Sequence, residues 1–182
     1  LNGDDWLEQD AFRAVLESIK IYPRAEVLYG KVRMVQERNG DSFVKSPLAM
    51  IGMPELVRWW LTNNHPHQPG MYFSREALAK TGLFDESLHF SIDYDYWLRL
   101  AAHSTFGYVD AVLANALIRA DCKSAGTEVE QVKSHWKVLL PFVRSLPLPE
   151  QERYWRDYYF HRLTNPMIFE QTQLPNDEGS FG

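Results

Sequence analysis

The sequence predicts an α/β domain followed by helices alone. Three observations carry this. From Phe12 to Ile118, segments with helical apolar spacing alternate with short runs rich in Val, Ile, Tyr and Phe. Turn formers punctuate those segments at Pro23, at Asn39 with Gly40, and at Gly82. Beyond Ile118 the strand-like runs stop, and two long stretches with helical spacing follow. At 182 residues and 45% apolar content the chain can bury one sizeable core. A formal charge of −5 without a basic run argues against nucleic acid as the main partner. The lone Cys122 excludes an intrachain disulfide framework and a Cys-rich zinc site, and it points to a reducing, cytoplasmic compartment. No apolar run approaches the span of a bilayer and no signal peptide precedes the first element, so no membrane crossing is expected.

The opening LNGDDW allows two readings. If Leu1 ends a buried strand, Gly3 turns the backbone and Asp4 and Asp5 project at a sheet edge, where open α/β sheets place ligands and where oxygen donors suit Mg²⁺ or Mn²⁺. Alternatively, Asp5 and Glu8 form a capping box ahead of a helix with the apolar face Phe12, Val15, Leu16 and Ile19. Pro23 stops that helix, and Glu26 to Val35 reads as strand up to the Asn39–Gly40 turn. Pro54 suits a first helical position ahead of Leu56, Trp59 and Trp60. Asn63 to Gly70 must be loop, being polar and broken by Pro66 and Pro69; its His65 and His67 lack metal-site spacing and suit the wall of a polar pocket. Met71 to Phe73 reads as strand and Arg75 to Lys80 as a helical turn ended by Gly82.

Gly82 to Leu100 (GLFDESLHFSIDYDYWLRL) is the stretch around which the rest is organised. Ser91 can cap a helix whose first turn holds Asp93 and Asp95, with Tyr94, Trp97, Leu98 and Ala101 on one buried stripe. A carboxylate at the reachable end of an anchored helix is what a general base requires; the same Asp93 also complements the helix dipole, and Asp95 precedes Arg99 at ion-pair spacing. Gly107 to Val109 and Val112 to Ile118 read as two strands around Asp110. Val129, Val132, Trp136, Leu139 and Val143 mark a long helix, SLPLPEQ a break, and Glu150 to Leu163 a second helix rich in Tyr and Arg. That composition suits packing on a protein surface, or peripheral contact with the inner face of a membrane or a lipid-linked acceptor. The tail from Gln171 looks partner-dependent.

LNGDDW, then HQPGMYFSREALAKTGLFDESL, then DYDYWLRLA, then ADCKSAG near residue 121 together resemble the inverting family 2 glycosyltransferases of GT-A fold, over Leu1 to Gly126. The resemblance implies a partial GT-A fold, a mixed sheet with flanking helices followed by C-terminal helices, and a nucleotide-diphosphate sugar as donor. It implies metal bound chiefly at Asp4, with Asn2 and Asp5 beside it in the donor site. It also implies His67, Gln68 and Asp95 on the side of a glycan or lipid-linked acceptor, and Asp93 as catalytic base. Asp4 and Asp93 are then expected to meet across one pocket. Where the family often has a metal-binding His this chain has Arg119, which cannot ligate a cation but can pair with a diphosphate.

The family carries a further βαβαβ unit ahead of the acidic turn. The expected organisation is therefore 1–123 as the C-terminal half of a transferase domain, 124–164 as a helical extension and 165–182 as tail. Such a half is expected to be inactive alone and to self-associate through an uncovered apolar face. The rival expectation is a non-catalytic interaction module that keeps part of the fold.

Overall fold

A computed structural model describes residues 2–58, 65–120 and 128–164. Leu1, Trp59, Trp60, Asn63, Asn64, Cys122 and the tail from Gln171 lie outside the described residues, and so do the readings that rest on them. The chain divides into two compact units: Leu1–Phe84 with Tyr96–Cys122, and Asp85–Asp95 with the chain from Lys123 onward.

The first unit is the expected mixed sheet with helices. Its strands are β1 (Trp6–Leu7), β2 (Val27–Gln36), β3 (Ser42–Lys45), β4 (Met71–Phe73) and β5 (Phe106–Ile118). β2 and β5 pair in parallel, β5 takes β1 antiparallel, and the remaining edge of β2 is shared by β4 against Val27–Tyr29 and β3 against Val32–Val35. The central position of β2 explains its near-continuous run of buried residues from Val27 to Gly30.

β5 is one strand, not the two expected around Asp110. The register slips between Gly30 and Val32, so that Gly30 faces Val109 while Lys31 faces Val112. This irregularity turns Asp110 outward onto Lys31, 2.6 Å away. A polar residue at a bulge therefore mimics a strand break in the sequence.

Helix α1 (Ala11–Ile21) packs through Ala11 and Val15 onto Leu28, Val109 and Leu113. Its expected apolar face is only partly used: Phe12 and Leu16 are each 62% exposed, and Ile19 is exposed too. The capping box is not formed either. Asp10 occupies the cap position and pairs with Arg13, while Glu8 meets Arg33 at 3.3 Å. Helix α2 (Met53–Val57) begins with Pro54 in its first turn, as expected. The loop from His65 ends in a 3-10 turn, Gln68–Gly70, followed by β4 and then α3 (Arg75–Thr81), which Ser74 caps and Gly82 ends at φ 78°.

Helix α4 (Ile92–His103) is divided, its residues to Asp95 going with the second unit and the rest with the first. In the first unit Tyr96 donates to the Gly82 carbonyl at 3.0 Å and stacks on Phe84 at 4.2 Å. Arg99 donates to the Thr81 carbonyl at 2.9 Å.

The second unit contains α5 (Glu128–Ser145) and α6 (Leu148–Thr164). Only Leu146 and Pro147 separate them, because Pro149 is tolerated in a first helical turn and the expected break is correspondingly short. The stripe Trp136, Leu139 and Val143 is buried as expected, whereas Val129 is exposed. Tyr154 and Tyr158 are fully buried, with Tyr158 edge-on to Trp136 at 5.1 Å and Trp155 stacked on it at 6.3 Å. Tyr154 and Tyr158 are therefore used in packing within the unit, whereas Tyr159 is 51% exposed. Each such aromatic pair adds about 0.5–1.5 kcal/mol beyond the area it buries.

Candidate functional site

In the first unit the acidic turn is built by its own backbone. The Asp5 amide donates to the Asn2 carbonyl at 3.3 Å, and the Asn2 amide to the Asp5 carboxylate at 3.4 Å. Asp5 is thus occupied in holding the turn. Asp4 is exposed and its carboxylate makes no hydrogen bond or ion pair among the described residues. The strand that accompanies this turn, β1, follows it.

Register fixes where the turn lies. Trp6 stands opposite Asn115 and Leu7 opposite Ala114, so stepping back from Trp6 to Asp4 means stepping forward along β5 toward Ile118. Arg119 follows directly, with its guanidinium 3.9 Å from the Glu37 carboxylate. Asn2, Asp4, Asp5 and Arg119 accordingly lie off one end of the sheet, the C-terminal end of the parallel pair β2 and β5. Open α/β sheets bind ligands at that end.

His67 and Gln68 are half-buried. They are held by a close approach of backbones: a Cβ added to Gly70 would lie 2.6 Å from Val32 Cγ2 and 3.2 Å from the Gly30 carbonyl oxygen. The turn that follows His67 thereby rests directly on β2.

In the second unit the first turn of α4 is the candidate catalytic element. Asp93 is half-buried, and its Oδ1 accepts from the Tyr94 amide at 2.8 Å. Asp95 is half-buried, and its amide donates to the Ser91 carbonyl at 2.9 Å. Ser91 does not behave as the expected side-chain cap. It is buried, its φ of 61° is left-handed, and its hydroxyl lies 2.8 Å from Nδ1 of His135 on α5. A non-glycine residue in that region costs about 1–2 kcal/mol, and the surrounding contacts must offset it.

His135 Nδ1 also lies 2.9 Å from the Gln131 carbonyl oxygen. A carbonyl has no proton to give, so the short contact assigns a proton to Nδ1, shared between Gln131 and Ser91. The imidazole stacks on Tyr94 at 4.8 Å and 22°. Burial holds its pKa below the ordinary range, against the raising effects of the Gln131 carbonyl and the Asp93 carboxylate. Neither His135 nor the Ser91 contact is read from the sequence. The mark they leave there is a titratable residue one position before the buried Trp136.

Asp4 belongs to the first unit and Asp93 to the second. Among the described residues no group of three or more His, Cys, Asp or Glu side chains is arranged to hold a metal ion. The carboxylate of Asp4 is an oxygen donor of the type that Mg²⁺ and Mn²⁺ take. Among the described residues no helix is long and apolar enough to cross a membrane.

No protein-family model matches the sequence, and no curated protein matches it. Among solved structures the chain is similar to S. aureus TarS, a glycosyltransferase, with a TM-score of 0.45 and 15% identity, over 85% of this chain. It spans 31% of the length of that structure. A likeness at this TM-score carries no argument about activity.

Proposed function

We propose that the chain is part of a glycosyltransferase that moves a sugar from a nucleotide diphosphate onto an acceptor hydroxyl with inversion. The observation that supports this most is the common sheet end of the Asp4 turn and Arg119, an exposed acid and a guanidinium off the C-terminal ends of two parallel strands. The order of the acidic turn, the HQPG loop and the DYD helix start, which resembles inverting family 2 enzymes, supports it as well.

Inverting transfer needs the leaving diphosphate neutralised and a proton removed from the attacking hydroxyl. Arg119 pairs with a diphosphate oxygen, and Asp4 is exposed off the same end of the sheet. A divalent cation bound there supplies charge stabilisation to the leaving group. Asp93 is the base. Its Oδ1 is held by the Tyr94 amide, and Oδ2 takes the hydroxyl proton. His67 and Gln68 in the first unit, and Asp95 in the second, are assigned to a glycan or lipid-linked acceptor.

Calorimetric titration with a panel of nucleotide sugars, with and without Mn²⁺, on this chain and on an N-terminally extended form tests the reading. Donor binding that disappears in Asp4→Ala supports it; binding unaffected by that change contradicts it.

A second reading, a non-catalytic interaction module, is favoured by the exposed stripe Phe12, Leu16 and Ile19 on α1. Absence of donor binding in both forms, together with self-association abolished by Leu16→Glu, would favour that reading.

A further inference from the structure

Three contacts join successive residues of α5 to the segment that opens α4. Ser134 donates its hydroxyl to the Phe90 carbonyl at 2.8 Å. His135 Nδ1 meets the Ser91 hydroxyl at 2.8 Å. The His135 ring lies against Tyr94 at 4.8 Å. The gripped positions, Phe90, Ser91 and Tyr94, bracket Asp93. Ser91 is the described non-glycine residue with positive φ, so its conformation is one the chain would not adopt without such a grip.

We infer that Ser91 and His135 are positioning residues for Asp93: helix α5 clamps the junction before α4 and sets the direction in which the Asp93 carboxylate leaves the first turn. The inference rests on the reading of Asp93 as base. It makes α5 a working part of the catalytic element, although 44 residues separate His135 from Ser91 in sequence. A base fixed through both its own backbone and a second helix meets the demand that catalytic groups be held by locked neighbours.

The test is made on the full chain by NMR, with His135→Phe and Ser91→Gly. Phe keeps a ring against Tyr94 and removes Nδ1; Gly relieves the left-handed backbone and removes the hydroxyl. Two quantities are followed at one pH: the chemical shift of the Asp93 carboxyl carbon, and exchange of the Asp95 amide, which donates to the Ser91 carbonyl.

Both variants are expected to change the Asp93 carboxyl carbon shift and to speed Asp95 exchange about tenfold, while amides of β2 keep their protection. If Ser91 served backbone conformation alone, Ser91→Gly would leave both quantities unchanged. An unchanged Asp93 carboxyl shift and unchanged Asp95 exchange in either folded variant overturn the clamp. No donor or acceptor enters these measurements, so failure of the transferase reading is seen separately, in the donor titrations.

Discussion

Trp6 on β1 stands opposite Asn115 on β5, and this single register carries the acidic turn to the same end of the sheet as Arg119. Arg119 is 3.9 Å from Glu37, with the two side chains 40% and 52% exposed, so the pair is a screened one that a diphosphate can displace. Arg119→Ala is expected to weaken nucleotide diphosphate binding about tenfold or more. Glu37→Gln removes this competing carboxylate and should strengthen binding by no more than about fivefold. Isothermal titration of the two variants checks both directions.

Gly70→Ala should destabilise the first unit by about 1–3 kcal/mol, since its Cβ would meet Val32 Cγ2 at 2.6 Å and the Gly30 carbonyl oxygen at 3.2 Å. The backbone oxygen cannot give way as a flexible side chain would. Urea unfolding measures the loss, and a fall in affinity for acceptor is expected with it, because this approach sets the His67–Gln68 loop.

The two sides of α1 should answer mutation differently. Leu113, fully buried under α1, should lose about 2–5 kcal/mol on change to Ala. Leu16, 62% exposed, should change stability by no more than about 0.5 kcal/mol when replaced by Glu. Paired urea titrations report both. A large loss at Leu16 would mean that its face is covered in solution.

His135 supplies a pH dependence with a definite sign. Burial depresses its folded pKa below the ordinary 6.5, so the unfolded chain binds more protons between the two values. Its contribution is fully present above 6.5 and is lost as pH falls through the lower, folded pKa. The slope of unfolding free energy against pH just below 6.5 should therefore be less positive in His135→Phe than in the unaltered chain. Urea midpoints on either side of that pH measure it.

Most elements are legible because their signals are local. Pro54, Gly82 and the Val27–Gly30 run each act within a turn or a strand, and each lies where the sequence predicts. Misreadings arise where a distant partner decides. Asp110 looks like a strand break until Lys31 is seen to draw it out of a bulge. Ser91 looks like a cap until His135 takes its hydroxyl. Phe12, Leu16 and Ile19 form a helical stripe by spacing, yet Ala11 and Val15 are the residues that reach the sheet. Aromatic composition does not tell a core from an interface: in α6 Tyr154 and Tyr158 are buried, Tyr158 against Trp136, while Tyr159 is exposed. The contact between His135 and Ser91 was not legible in sequence, since no local pattern links positions so far apart.

The division of labour between the two acids is most directly tested by Asp93→Asn in a form of the protein that turns over, with transfer rate and donor affinity measured side by side. Transfer should be abolished while donor affinity stays within about twofold of the unaltered enzyme. Transfer that persists, or donor affinity that collapses along with it, would contradict the assignment of Asp93 as the group that takes the acceptor's proton.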